Sequence, residues 1–135
     1  MENVSVLVWR TAIDLSNQIY RVTPVFTGPV AQDLGREMRQ VSKKVPSKIS
    51  LAINVCRDKF SQKKCIKALH ALCELEALFI YSRNAYMIDE AECQYFLAEI
   101  DKLKKYLLHF QNYLNRRLRN TSFSKNNGDQ QDHSV

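Results

Sequence analysis

Glycine and proline are scarce in this chain, with three residues of each among 135. β-Sandwiches and βαβ folds need many tight turns, and those turns are made mostly by glycine and proline. The scarcity therefore argues against both architectures. A chain of this length forms one domain and buries about two-thirds of its unfolded surface. The composition predicts a single all-α domain with its own core.

The N-terminal sequence MENVSVLVWR has only a short apolar stretch, with no basic segment before it. A signal peptide needs both features, and a membrane span needs about 20 apolar residues. Neither pattern fits. We therefore expect a cytoplasmic protein with no membrane partner.

Catalytic and metal-binding motifs are also missing: the sequence contains no Gly-rich phosphate loop, HExxH, GxSxG or CxxC. His70 and Cys73 lie one helical turn apart and supply two of the four ligands that a structural zinc site needs. Glu74 and Glu76 fall on different sides of a helix and are not an acid–base pair. We expect no enzyme activity, no metal and no cofactor.

Two expectations concern individual buried groups. Glu76 falls near the core stripe of its helix, so its carboxylate needs a polar partner from another helix or another subunit, such as a basic residue of another helix. In a cytoplasmic chain, cysteines in apolar helical patterns are most often small buried residues. We expect reduced core thiols at Cys56, Cys65, Cys73 and Cys93.

Four amphipathic segments are present, each with apolar residues at alternating steps of three and four. We expect Pro24 to end the first helix, with Phe26 packing just beyond it, and Pro46 either to kink or to split the second. Ser61 is the expected N-cap of the third helix, and Asp89 that of the fourth. The core stripes are Val8, Ala12, Leu15, Ile19 and Val22; Leu34, Met38, Val41, Val45, Ile49, Ala52, Cys56 and Phe60; Ala68, Leu72, Leu75, Phe79 and Tyr86; and Phe96, Ile100, Leu103, Leu107, Phe110 and Leu114.

Short connections place consecutive helices antiparallel, so these segments predict an up-and-down four-helix bundle over residues 1–119. Residues 120–135 lose the apolar periodicity and are rich in Ser, Asn, Gln and Asp. Such a segment buries too little apolar surface to offset its ordering entropy. We expect residues 120–135 to form a disordered polar tail.

Lysine and arginine account for 20 residues and occur in two blocks on an otherwise acidic chain. A block from Lys102 to Arg119 holds six basic residues and no acid. The other block combines ten basic residues with only two acids; its basic residues are Arg36, Arg39, Lys43, Lys44, Lys48, Arg57, Lys59, Lys63, Lys64 and Lys67. Clustered cations bind phosphates by releasing condensed counterions, so these ten residues predict a nucleic-acid-binding surface, with RNA favoured.

Three alternatives to that function stay open. The cations could be a solvated helix face that keeps the protein soluble, or a scaffold surface for an acidic protein partner. An enzyme with an unrecognised site is the third. No sequence-reading motif is present, so contacts with nucleic acid are expected to be to backbone and shape.

Aromatic residues divide between the core and the surface. Tyr81, Tyr95, Tyr106 and Tyr113 lie off the core stripes, where they could stack on bases or fill a subunit interface, and the interface is the favoured interpretation. Trp9 lies just off the first stripe and could contact a neighbouring protomer. Apolar surface left on a single bundle predicts a homo-oligomer.

Several blocks of the sequence together resemble the four-helix-bundle family named for the 23S rRNA intervening sequence protein, over about residues 4–118. The blocks are Val8-Trp9, Ala12, Ile19-Tyr20, Phe26, Gln32-Asp33-Leu34, Met38-Arg39, Val45-Pro46-Ser47-Lys48-Ile49, Lys67-Ala68-Leu69, Glu74-Leu75-Glu76 and Asp89-Glu90-Ala91-Glu92. The family includes Avd, the accessory variability determinant of diversity-generating retroelements. The resemblance implies a bundle that assembles as a cyclic homopentamer and has a basic surface for a reverse transcriptase and nucleic acid.

The chain departs from its family at one motif. Typical members read I-P-x-N-I-A-E-G where this sequence has Val45 to Ala52, so that Asn, Glu and Gly become Lys48, Leu51 and Ala52. The change adds a cation and removes an acid. It favours a specialised, Avd-like member over a generic one.

Overall fold

The computed structural model describes the backbone of residues 3–55 and 58–133, and the side chains of residues 3–54 and 59–117. The described backbone forms four α-helices and contains no strand. They are α1 (Val4–Val22), α2 (Pro29–Val55), α3 (Asp58–Asn84) and α4 (Glu90–His133), with a 3-10 turn at Thr23–Val25. The expected all-α fold is confirmed.

The start and the end of α1 follow from local chemistry. Asn3 caps the helix, because its Oδ1 accepts a hydrogen bond from the backbone N–H of Ser5 at 3.0 Å. The helix ends before Pro24, as expected, and the chain turns at Gly28, whose φ of 90° suits glycine. Pro29 then opens α2, where its fixed φ and missing N–H are tolerated.

Pro46 lies inside α2 and does not split it. The residues on either side of it, Val45 and Ile49, are each at most 1% exposed, so one apolar face is buried continuously across the proline. This packing against neighbouring helices outweighs the hydrogen bond that a proline removes from a helix interior.

The junction between α2 and α3 differs from the sequence expectation. The third helix begins at Asp58, so Ser61 is not its N-cap. Ser61 is instead fully buried, and its hydroxyl donates to the backbone carbonyl of Ala52 in α2 at 2.9 Å. Phe60, expected in the core, lies in the first turn of α3 and is 38% exposed.

Tyr86 was also expected on a core stripe, and this prediction is wrong. The helix ends at Asn84, and Tyr86 adopts a positive φ of 60° with 94% of its surface exposed. Ile88 is the buried residue of this connection. Asp89 caps α4 as predicted, since its Oδ1 accepts from the N–H of Glu92 at 2.7 Å.

The backbone of α4 stays helical to His133, beyond the domain end expected at residue 119. The segment 120–133 contains no proline and one glycine, so its local geometry allows a helix to continue. The side chains of residues 118–135 lie outside the described part of the chain. The division into a bundle over 1–119 and a disordered tail over 120–135 stays a prediction.

The helices pack in the order that the chain predicts. α1 contacts α2 and α4, and α3 contacts the same two helices, which closes a four-helix bundle. At its centre the rings of Phe79 and Phe96 stack with their centroids 4.5 Å apart. Phe110 is buried as well, so the core role expected for these three is confirmed. None of the described helices is long and apolar enough to cross a bilayer.

Candidate nucleic-acid interface

The predicted basic surface is divided by α2 into two sides. On the side facing α1, the Arg39 guanidinium donates to the Thr23 hydroxyl at 2.8 Å. The Lys43 ammonium lies 5.5 Å from the centroid of the Tyr20 ring. Arg39 and Lys43 therefore contact other residues of the same bundle.

Arg36 lies on the exposed part of α2 and pairs with a carboxylate of the same helix. Its guanidinium is 3.0 Å from Asp33, three residues earlier, and both side chains are largely exposed. An exposed pair of this kind contributes little stability. The pairing nevertheless offsets the charge that Arg36 presents to a ligand.

On the other side of α2, Lys44 and Lys48 face a cleft of about 280 Å³ against α3. One helical turn separates the two lysines, so they lie on the same face. α3 contributes Lys67, His70 and Glu74 to the walls of this cleft. Cations from neighbouring helices therefore converge on one concave surface.

Lys64 extends this cluster along α3. Partial burial lowers the pKa of the Lys64 ammonium, and the charges of Lys67 and Lys48 lower it further. Among the described side chains, none of Lys44, Lys48, Lys64 and Lys67 forms an ion pair with a carboxylate. We call these four residues the lysine cleft.

The remaining members of the predicted surface lie near the start of α3. Lys59 and Lys63 are exposed and one turn apart. Arg57 lies outside the described residues. The structure thus gathers four of the ten predicted residues into one cleft, places three on the α1 side or the exposed part of α2, and leaves two on open surface.

The second basic block has its three lysines paired with acids in the fold. Each of its three lysines forms an ion pair with an acid that lies outside the window from Lys102 to Arg119. The pairs are Lys102–Glu99 at 3.1 Å, Lys104–Glu76 at 2.8 Å and Lys105–Asp101 at 3.2 Å. The Glu76 and Glu99 carboxylates accept hydrogen bonds that raise the pKa of Lys104 and of Lys102.

The sequence predicted one of these three pairs, and the structure confirms it; the other two were not predicted. Glu76 was expected to meet a basic residue from another helix, and it does so at Lys104. The acids at positions 99 and 101 precede the lysines by three and four residues, so helical spacing alone could have revealed both pairs. Both acids precede Lys102, so a count of charge from Lys102 to Arg119 leaves them out.

The tyrosines that were expected off the core have different environments. Tyr81, Tyr95 and Tyr113 are 57%, 48% and 41% exposed, whereas Tyr106 packs partly against the core. The Tyr95 hydroxyl donates to Gln18 Oε1 at 2.7 Å and joins α4 to α1. The aromatic residue beside the lysine cleft is Phe60, with the Lys64 ammonium 4.8 Å from its ring centroid.

Of the four cysteines expected in the core, Cys65 and Cys93 are buried. Burial raises the pKa of the Cys65 thiol to about 11, so it stays protonated. Cys73 is exposed, contrary to expectation, because the apolar stripe of α3 passes through its neighbour Leu72; Cys56 lies outside the described residues. Within the described ranges, no cluster of three or more metal-ligating side chains occurs.

These features define a small basic four-helix-bundle protein with a cleft between two adjacent helices that is lined by more cations than acids. Residues 5–109 match the model of the family described as 23S rRNA-intervening sequence protein. The chain belongs to that family, which confirms the family resemblance. No curated protein matches the chain significantly.

Proposed function

We propose that this protein is a non-catalytic cytoplasmic accessory protein that binds the phosphate backbone of nucleic acid, with RNA favoured, through the lysine cleft. One observation carries the proposal: Lys44, Lys48 and Lys67 line one cleft between two adjacent helices, Lys64 lies near enough to Lys48 and Lys67 to be affected by their charge, and none of the four forms an ion pair with a carboxylate among the described side chains. Four lysines outnumber the one carboxylate that lines the cleft, Glu74, and a phosphate chain supplies the further negative charge.

The contrast between the two basic blocks supports this proposal over a solvated helix face. A face that only confers solubility disperses its cations or pairs them with acids, as the lysines of α4 do. In the lysine cleft, partial burial lowers the pKa of Lys64, and repulsion from Lys67 and Lys48 lowers it further. Bound phosphate would relieve that repulsion, which makes the cleft the better site for a polyanion.

We further propose that the protein acts as Avd does, with a reverse transcriptase as its protein partner and a cyclic homopentamer as its assembly. Exposed apolar residues on α1 support self-association: Val6 and Trp9 are each 43% exposed. They line a groove of about 350 Å³ with Ile53 of α2. A ring would repeat the lysine cleft around an axis, so weak contacts would add through high effective concentration.

A matched pair of variants tests the binding proposal. The first, K44Q/K48Q/K67Q, removes three charges from the lysine cleft. The second, K102Q/K104Q/K105Q, removes three charges from the paired lysines of α4. Both variants have the same net charge, so any difference between them reports the position of the charges. The measurement is affinity for single-stranded RNA as a function of salt concentration.

The cleft variant should lose about 2 from the slope of log affinity against log salt, since each phosphate contact on a single strand contributes about 0.7. The α4 variant should change the slope by less than about 0.7, the contribution of one phosphate contact. Equal effects in the two variants would contradict the proposal. An unchanged slope in the cleft variant would assign the lysine cleft to the alternative function, a scaffold for an acidic protein.

Sedimentation of the purified protein tests the assembly separately. A five-fold oligomer at micromolar concentration is expected, and Trp9→Ala should shift it toward smaller species. A clean monomer would refute the assembly without bearing on the lysine cleft. Co-purification with a reverse transcriptase encoded beside it tests the proposed partner.

A further inference from the structure

Phe60 is an exposed aromatic residue at the end of the lysine cleft, and its ring is not part of the buried core of the bundle. It lies in the first turn of α3 and leaves 38% of its surface exposed. The Lys64 ammonium lies 4.8 Å from its ring centroid, within the range of cation–π attraction. The ring is therefore placed beside a lysine of the proposed phosphate-binding surface.

Helical geometry puts Phe60, Lys64 and Lys67 on one stripe of α3. Phe60, Lys64 and Lys67 follow each other at steps of four and three, and at about 1.5 Å rise per residue they span about 10 Å. Lys48 of α2 lies near enough to Lys64 to affect its pKa. An exposed ring is thus followed along α3 by two cations, with a third across the cleft.

An exposed aromatic face next to a row of cations is the pattern with which proteins hold single-stranded nucleic acid, since bases stack on the ring while the backbone follows the cations. A duplex offers no unstacked base for such a ring, and an RNA duplex presents mainly phosphates and 2′-hydroxyls. A phenylalanine beside these lysines is therefore better suited to a single strand than to an RNA duplex.

We propose that Phe60 stacks on an unpaired base of single-stranded RNA while Lys64, Lys67 and Lys48 contact the adjoining phosphates. The inference rests on the proposed function and deepens it, because it names the form of nucleic acid that the lysine cleft takes. Stacking is tolerant of sequence, so the site selects unpaired structure and not a base code.

Three substitutions test the stacking site. Phe60→Ala removes the ring, and Phe60→Tyr keeps an aromatic face. Ile66→Ala, on the same helix, removes an apolar side chain of similar exposure (42%) and serves as the matched control. Affinity is measured for a short mixed-sequence RNA and for the same sequence annealed to its complement. Circular dichroism checks that each variant stays folded.

Phe60→Ala should weaken binding of the single strand about tenfold, within the range known for base–aromatic stacking, and binding of the duplex less than twofold. Phe60→Tyr and Ile66→Ala should bind both forms as the unsubstituted protein does. The salt slope should not change in Phe60→Ala, because no phosphate contact is lost. An RNA with 2-aminopurine should lose fluorescence on binding, and Phe60→Ala should abolish that loss.

Two results would overturn the inference: equal weakening of single strand and duplex by Phe60→Ala, or unchanged binding of both together with unchanged quenching. Either result leaves the lysine cleft as a phosphate site if K44Q/K48Q/K67Q still weakens binding. Absence of all RNA binding by the unsubstituted protein at low salt would refute the proposed function and this inference together.

Discussion

Replacing Phe79 by alanine should remove a large part of the stability of the bundle. Phe79 is fully buried, and its ring stacks on that of Phe96, with an angle of 14° between the two planes. The substitution deletes the ring, leaves a cavity between α3 and α4 and deprives Phe96 of its partner. Phenylalanine-to-alanine changes in well-packed cores cost about 3 to 5 kcal/mol. A domain of this size is stable by roughly 5 to 15 kcal/mol, so the loss is severe.

Thermal unfolding followed by circular dichroism measures the effect. At about 3 to 4 °C for each kcal/mol in a domain of this length, the midpoint should fall by roughly 10 to 20 °C. Every variant must be compared at one protein concentration, because the proposed self-association would make the midpoint depend on concentration. Phe79→Leu should fall between the alanine variant and the unsubstituted protein, since it keeps most of the apolar volume.

Tyr81→Ala is the control for this experiment. It removes an aromatic ring two residues along the same helix, but that ring is 57% exposed. Its effect should be within about 0.5 kcal/mol, as for most surface substitutions. If Phe79→Ala lowered the midpoint no more than Tyr81→Ala does, α3 would not present Phe79 to a close-packed core, and the assignment of the bundle interior would be wrong.

Three other predictions concern a helix cap, a salt bridge and the C-terminal segment. Asp89→Ala should cost about 1 kcal/mol in urea unfolding, because it removes the acceptor for the Glu92 N–H, and Asp89→Asn should retain most of that stability. The hydrogen bond that the Lys104 ammonium donates to the Glu76 carboxylate raises the pKa of Lys104, so the pair stabilises the fold at neutral pH, and its contribution is lost as the pH rises above 10.5 through the raised pKa. Lys104→Met should therefore lower the free energy of unfolding by about 0.5 kcal/mol at pH 7, a small value because Glu76 is partly exposed to solvent, and by nothing once the pH exceeds the raised pKa. A loss of stability that is independent of pH would contradict the assignment. Truncation after Arg119 should leave the unfolding midpoint unchanged, and a large drop would place the domain boundary further along α4.

The two basic blocks show why charge counted along the sequence is an incomplete guide to a binding surface. In composition they look alike, and the block in α4 even lacks acids. In the fold, Lys102, Lys104 and Lys105 each form an ion pair, whereas the lysines of the lysine cleft form none among the described side chains, although Glu74 lines the cleft. What remains available to a phosphate is the charge that the fold leaves unpaired.

The apolar periodicity of the sequence was enough to predict the number of helices, their antiparallel order and most of the core. Stripes such as Leu34 to Ala52 and Phe96 to Leu114 are buried as predicted, because a helix with one apolar face must bury that face. Local signals also located the start of α4 at Asp89 and the end of α1 before Pro24. Each of these features depends on residues within about one or two turns of each other.

The junction of α2 and α3 and the shape of the candidate site depended on tertiary structure. Ser61 looks like an N-cap in sequence, but a carbonyl of a neighbouring helix, at Ala52, is its partner. α3 already starts at Asp58, and Phe60 in its first turn lies on the surface beside Lys64 and not in the expected core. Lys43 and Lys44 are adjacent in sequence yet face different helices, because a rotation of about 100° separates consecutive side chains on a helix. Sequence determines which residues are charged or apolar; the packing of one helix against another determines which charges meet.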